Sequence, residues 1–179
     1  YINIGKTIVI NNTEAINYEN TAFIGFGSNL DEPVAQITKA YSFLKNNSNI
    51  KRIHISSLYE SSPLGNIDQS NYINSVAKVV TCLNHQQLHK LLIKIEKQHK
   101  KKVINPWGPR TLDLDLLSYN NMMLQSSRLI LPHPGIKYRN FVIIPWYEIE
   151  PNFILANNNK IRELYDNCDK NIIKIGSIC

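Results

Sequence analysis

No stretch of this 179-residue chain supplies the run of about 18–20 apolar residues that a membrane-spanning helix needs. The densest candidate, Phe141 to Trp146, is short and interrupted by Pro145. The first residues lack the pattern of a secretory leader. Cysteine is scarce: Cys82, Cys168 and Cys179 are odd in number and lack metal-site spacing, so a disulfide framework and a structural zinc site are both excluded. They read as free thiols in a reducing compartment. The expected address is cytoplasmic, or an organelle matrix if a targeting segment has been removed. Internal repeats are absent, which excludes solenoids and propellers.

What is present is an apolar fraction of 43%, enough for a core and too high for a disordered chain. The length suits one domain, with residues 1–20 read as an N-terminal extension of unknown role and 21–179 as the domain proper. Residue 1 is Tyr rather than Met, compatible with excision from a longer product, an ordinary extension or trimming. A formal charge of +6 suits an anionic partner. Lys90, Lys94, Lys97, Lys100, Lys101 and Lys102 cluster on one stretch. They read either as a solvated helix face and end or as a basic flap, and the flap suits a triphosphate better than a long duplex.

Patterning gives a strand over Thr21–Gly27, a helix from Pro33 carrying Val34, Ile37, Tyr41 and Leu44, and a strand over Ile50–Tyr59. A third strand follows over Asn71–Thr81. The clearest helix runs from His85 to about Lys100, with Leu88, Leu91, Leu92 and Ile95 on one face. Leu129–Leu131 is short and extended, Arg139–Glu148 is helical unless Pro145 breaks it, and a last helix lies near Lys160–Asn167. The sum is an α+β chain with a mostly antiparallel sheet.

The most informative segment runs from Trp107 to Leu117, Trp-Gly-Pro-Arg-Thr-Leu-Asp-Leu-Asp-Leu-Leu. On a strand, Leu112, Leu114 and Leu116 face one way and Asp113 and Asp115 the other, the two carboxylates about 6.5–7 Å apart. Two carboxylates beside Arg110 suit divalent metal ions carrying a polyphosphate. A half-exposed strand with a solvated acidic face reads the same way.

Further motifs follow in order: Gly27-Ser28-Asn29-Leu30; Ser57-Leu58-Tyr59 with Pro63-Leu64-Gly65; Asp68-Gln69 with Tyr72 and Asn74; Arg128; Leu131-Pro132-His133; and Arg139-Asn140-Phe141-Val142. With the Trp107–Leu117 segment, this ordered set over about residues 22–150 resembles the 6-hydroxymethyl-7,8-dihydropterin pyrophosphokinases of folate biosynthesis. The resemblance implies a ferredoxin-like α/β/α sandwich, its central sheet flanked by helices. It implies an enzyme, a magnesium-dependent diphosphotransferase, that moves pyrophosphate from ATP to the pterin hydroxymethyl and releases AMP.

By the same resemblance, Asp113 and Asp115 hold two Mg2+ ions, and Arg110 and Arg139 join them in catalysis by reaching the phosphates. Glu96, Trp107, Arg110, Leu116, Arg128, His133 and Arg139 belong to the ATP side. Ser61, Ser62, Leu64, Tyr72, Asn74, Trp107 and Phe141 belong to the pterin side. Read without the family, His133 between two prolines is better taken as a rigid loop histidine with a structural hydrogen bond. The implied partners are ATP and the pterin, without nucleic acid or membrane, and in some organisms the enzyme is fused to a neighbouring folate-pathway enzyme. Departures cluster before Trp107: Pro106 stands where bacterial relatives often have arginine, and no family arginine role maps onto Lys100, Lys101 or Lys102. Two other classes are weighed against this reading, a ferredoxin-like RNA-binding module using the Lys90–Lys102 face and a noncatalytic relative. Both leave the paired aspartates without a role.

Overall fold

A nine-residue run, Asn20–Ser28, is apolar on both faces and forms a central strand, β1, buried along most of its length. The computed structural model describes residues 19–63, 69–99 and 110–178. After β1 come α1 (Pro33–Lys45), β2 (Ile50–Ile55), β3 (Leu58–Ser61), β4 (Tyr72–Thr81), α2 (His85–Gln98) and β5 (Asp113–Tyr119). Then follow the hairpin β6 (Leu124–Gln125) and β7 (Ile130–Leu131), a 3₁₀ turn over Ile136–Tyr138, α3 (Asn140–Ile149), α4 (Ile161–Asn167) and β8 (Ile173–Gly176).

Among the described residues, six strands form one sheet in the order β5-β1-β4-β3-β8, with β2 alongside β3 on the same edge of β4. Every pairing is antiparallel. The path β1-α1-β2/β3-β4-α2-β5 in this spatial order is the split βαβ arrangement of ferredoxin-like folds. On one face, Ile37, Ala40 and Leu44 of α1 and Leu88, Leu92 and Ile95 of α2 pack over Ile24, Leu112, Leu114 and Leu116. On the other, Val142 and Trp146 of α3 and Ile161 of α4 pack over Phe23, Val76 and Leu117. Phe23 lies 4.4 Å from Trp146 and 4.6 Å from Phe153, ring centre to ring centre, and anchors this second core.

Three elements depart from the sequence pattern. The Ile50–Tyr59 strand divides at Ser56-Ser57. Ser56 Oγ accepts from the Val76 amide at 3.1 Å. The Ser57 amide turns out of the ladder to donate to Glu148 Oε2 at 2.9 Å. Helix α3 continues through Pro145, although the ring removes the N–H that would bond the carbonyl of Phe141. Val142, Ile143, Ile144 and Trp146 are all buried around it, and that burial outweighs the lost bond. Strand β8 has no counterpart in the sequence pattern, because its Ile-Lys-Ile alternation is only three residues long and all four of its residues are exposed.

Glu148 ties α3 to the sheet. Its carboxylate accepts from the Ser57 amide and hydroxyl at 2.9 and 2.7 Å, from Tyr59 Oη at 3.1 Å and from Lys174 Nζ of β8 at 2.9 Å. Partial burial opposes ionisation, but the bonds from Lys174, Ser57 and Tyr59 outweigh it and hold this carboxyl below its ordinary value. The group's stabilisation is therefore present above the unfolded carboxylate pKa of about 4.3 and is lost as pH falls through the lower folded value. Glu148→Gln should flatten the acid limb of the stability profile. Chemical denaturation at pH 7 should show a loss of about 1–2 kcal/mol that disappears at the acid end.

Candidate active site

The site is built on the α3 face of the sheet, where the central strand carries no side chains. Gly27 pairs with Asn74 of β4 on one side and Asp113 of β5 on the other. Gly25 pairs with Val76 and Asp115 in the same way. A Cβ on Gly27 would lie 3.6 Å from Asn74 Oδ1 and 3.9 Å from Asp113 Cβ, so glycine leaves the floor between them open. The result is a cavity of about 260 Å³ lined by Gly25, Gly27, Ser61, Ser62, Gln69, Tyr72, Asn74, Arg110, Asp113, Asp115, Arg139 and Phe141, among others.

The strand alternation behaves as the sequence requires. Leu112, Leu114 and Leu116 are buried against α1 and α2, and Asp113 and Asp115 face the cavity. Each carboxylate is held by an arginine from a different segment. Arg110 Nη1 donates to Asp113 Oδ2 at 2.8 Å, and Arg139 Nη1 to Asp115 Oδ2 at 2.9 Å. Burial disfavours the Arg110 charge, but Asp113 beside it, with Tyr72 and Asp115 beyond, more than compensates and raises its pKa. Arg139 ends the turn before α3, so the helix start fixes it in place.

His133 follows the cis Leu131-Pro132 bond. Its Nδ1 accepts from the Gly135 amide at 3.1 Å, which leaves the proton on Nε2, 3.9 Å from Asp115 Oδ2. Burial lowers its pKa and Arg139 lowers it further, against the opposing pull of Asp115 and Asp113, so the ring is neutral at pH 7.

At the other end of the cavity, Asn74 is 3% exposed, and its Nδ2 donates to Ser61 Oγ at 2.9 Å. That commits the donor to the protein and turns Oδ1 toward the floor over Gly27, where among the described residues it accepts no hydrogen bond. Tyr72 and Phe141 supply aromatic rings from β4 and α3. Burial raises the Tyr72 hydroxyl pKa, so it is protonated at pH 7.

Thus Ser61, Ser62, Tyr72, Asn74, Arg110, Asp113, Asp115, Arg139 and Phe141 converge on one cavity, with His133 beside it at Asp115. Leu64 and Trp107 lie outside the described residues. Arg128 sits in the exposed β6–β7 connection and is not among the lining residues. Leu116 is 2% exposed and faces the opposite side of the sheet from Asp115, in the first core. Glu96 is 8% exposed, and its Oε1 accepts from the Leu114 amide at 2.9 Å, bracing the strand between the two aspartates. As site residues, the sequence pattern singled out neither Gln69, which lines the cavity, nor Gly135, over which Arg139 and His133 fold.

Among the described residues, no three His, Cys, Asp or Glu side chains gather as a ready metal site. Asp113 and Asp115 supply hard oxygen donors only. That set fits magnesium, which keeps several waters and takes phosphate oxygens as further ligands, and does not fit a closed zinc site.

Residues 23–151 match the family described as 7,8-dihydro-6-hydroxymethylpterin-pyrophosphokinase. The chain is 41% identical over 156 residues to 2-amino-4-hydroxy-6-hydroxymethyldihydropteridine pyrophosphokinase of Haemophilus influenzae, covering 87% of this chain and 98% of that one. It is 37% identical to the enzyme of the same name from Aquifex aeolicus, over 75% of this chain and 82% of the other. The fold also matches the crystal structure of Plasmodium falciparum HPPK-DHPS wild type with pteroate, at a TM-score of 0.64 and 17% identity. That match covers 84% of this chain and 42% of the Plasmodium chain, so this chain spans under half of it.

A Cβ at Gly135 would come within 2.7 Å of Arg139 Nε and 3.1 Å of His133 Cε1. The guanidinium can swing away, so Gly135→Ala should fold and yet pull Arg139 off Asp115. Turnover should fall about tenfold or more with a near-unchanged melting temperature, as expected for a displaced charge-stabilising group; steady-state kinetics with thermal denaturation checks this.

Proposed function

The chain belongs to the 7,8-dihydro-6-hydroxymethylpterin-pyrophosphokinase family, and from that premise we propose how this cavity divides the work between two substrates. The reaction transfers pyrophosphate from ATP to 6-hydroxymethyl-7,8-dihydropterin and yields the pterin diphosphate and AMP, a step of folate biosynthesis. The pterin oxygen forms a bond to the β-phosphorus, the bond from that phosphorus to the AMP oxygen breaks, and the hydroxyl proton is lost.

The observation that carries the site assignment is that ring-holding and phosphate-holding groups line one cavity. At about 260 Å³ it falls just below the ~300–1,000 Å³ of ligand pockets. It has room for one flat heterocycle, and the nucleotide lies against its acidic rim. Tyr72 and Phe141 bracket the pterin ring, and Asn74 Oδ1 accepts from its amino and ring N–H edge. Ser61 holds Asn74 in that orientation. Leu64 and Trp107 complete the pterin side in this reading, Trp107 touching the nucleotide as well.

Arg110 and Arg139 present planar, permanently charged forks to the phosphates and release part of their hold on the aspartates as they do so. Neutral His133 offers Nε2–H as a donor on the same side. Arg128, Glu96 and Leu116 stay on the nucleotide side of the proposal, Glu96 by bracing the backbone of β5 and Leu116 through its backbone position next to Asp115. Magnesium, two ions in this reading, would be held by Asp113 and Asp115 and supplies charge neutralisation to the triphosphate. For the protein's own groups, catalysis is alignment and charge stabilisation.

The RNA-binding alternative is not supported. Such modules need an open sheet face, and here α1 and α2 cover one face while α3 and α4 cover the other. The two enzyme names carried by the Plasmodium chain support the reading that this domain is of a kind built into longer folate-pathway chains.

Asp113→Ala or Asp115→Ala should lower AMP release at least about a hundredfold with the fold retained, the scale of losing a preorganised electrostatic group. EDTA should stop wild-type turnover, and added Mg2+ should restore it. Tyr72→Ala or Phe141→Ala should weaken pterin binding about tenfold, as read by titration, with a smaller effect on ATP. Wild-type rates in either aspartate variant would refute the metal assignment.

A further inference from the structure

Asn29 sits just past β1, 3% exposed, and is not among the residues that line the cavity. Its backbone and side chain nevertheless reach both sides of it. The Asn29 amide donates to the Arg110 carbonyl at 3.1 Å, and Asn29 Oδ1 accepts from the Arg110 amide at 2.8 Å. In the opposite direction, Asn29 Nδ2 donates to the Ser70 carbonyl at 3.1 Å and faces Gln69 Oε1 at 3.5 Å. The preceding residue reinforces the first half: Ser28, fully buried, donates from Oγ to the Thr111 carbonyl at 2.6 Å.

The two segments so joined are far apart in sequence and carry different chemistry. Arg110 leads into β5 and holds Asp113. Gln69-Ser70 leads into β4 and Tyr72, and Gln69 itself lines the cavity. A primary amide is the side chain that can do both jobs, since one atom accepts from Arg110 and the other donates to Ser70. An aspartate keeps the acceptor and loses the donor. An alanine loses both and leaves a part-buried N–H at Arg110 and C=O at Ser70 without their partner.

We propose that Asn29 is a positioning residue that sets the phosphate-side Arg110 and the pterin-side Gln69–Tyr72 segment in one fixed register, so that the two substrates meet in line. It acts through those groups and touches neither substrate. The proposal rests on the site reading above, which the single variants Arg110→Ala and Tyr72→Ala test on their own by their effects on ATP and pterin handling.

The test is a kinetic comparison with AMP release as readout. Asn29→Asp should raise the KM for pterin about five- to tenfold and leave the KM for ATP within about twofold, because only the bonds to the Gln69-Ser70 segment are lost. Asn29→Ala should lower kcat about tenfold or more in the wild-type background and less than about twofold in an Arg110→Ala background, since both changes disturb the same group. A merely structural asparagine predicts otherwise: both KM values move together with the melting temperature, and the two substitutions add. Either of those results, or unchanged kinetics in Asn29→Asp, overturns the proposal. If Asn29→Ala does not fold, the pattern of KM values in Asn29→Asp decides the matter alone. If Arg110→Ala leaves ATP handling intact, the site reading fails, and the Asn29→Asp pattern still judges this inference separately.

Discussion

The register of three strands sets everything else in this molecule. With Gly27 opposite both Asn74 and Asp113, and Gly25 opposite Asp115, the Asn74 amide and the two carboxylates share one face across a floor of bare backbone. A slip of β5 by a single residue would turn both aspartates into the leucine-lined core and present leucines to the cavity. The slip is opposed by Leu112, Leu114 and Leu116, all buried under α1 and α2. The one irregularity in this pairing falls between Phe23 and Ile24, beyond the site, so it leaves both aspartate rows intact.

Charge balance follows from the same geometry. Two carboxylates on one strand face repel when empty, and each is met by its own arginine. Arg110 reaches Asp113 from just upstream on the same segment; Arg139 reaches Asp115 from the start of α3. These four groups sum to zero, so an arriving triphosphate is the uncompensated charge. In the proposed function, cations at the aspartates would free the arginines to turn toward it. Arginine and metal would then be alternative partners of the same oxygens, and nucleotide binding would be linked to the release of an existing ion pair.

Much of this was legible in the chain itself, and the parts that were not share a cause. The alternation of leucine and aspartate in β5 and the apolar stripe of α2 are local patterns, and both elements stand where the pattern puts them. Tyr72 and Asn74, two apart on β4, share a face for the same local reason. The division of the second strand at Ser56-Ser57 depends on Glu148, 91 residues away. The hold of Asn29 on Arg110 spans 81 residues, and no window of sequence contains both ends. Pro145 inside α3 is tolerated because of burial that only the assembled sheet provides. Gly135 matters because Arg139 and His133 fold back over it, not because of its backbone angles, which are ordinary.

The two edges of the sheet differ in kind. At the β5 edge, α2 and the turn before it meet the strand: Tyr119 Oη donates to the Leu83 carbonyl at 2.7 Å, and Glu96 of α2 takes the amide of Leu114. A buried carboxylate in that place does what another strand would otherwise do. At the far edge, β8 is short and exposed, with Ile173 and Ile175 uncovered and Lys174 between them folded onto Glu148. Self-association by strand addition, a standing hazard for any open sheet, is therefore opposed at Leu114, between the two aspartates. Strand addition is open instead at the exposed β8 edge, whose residues are not among those that line the cavity.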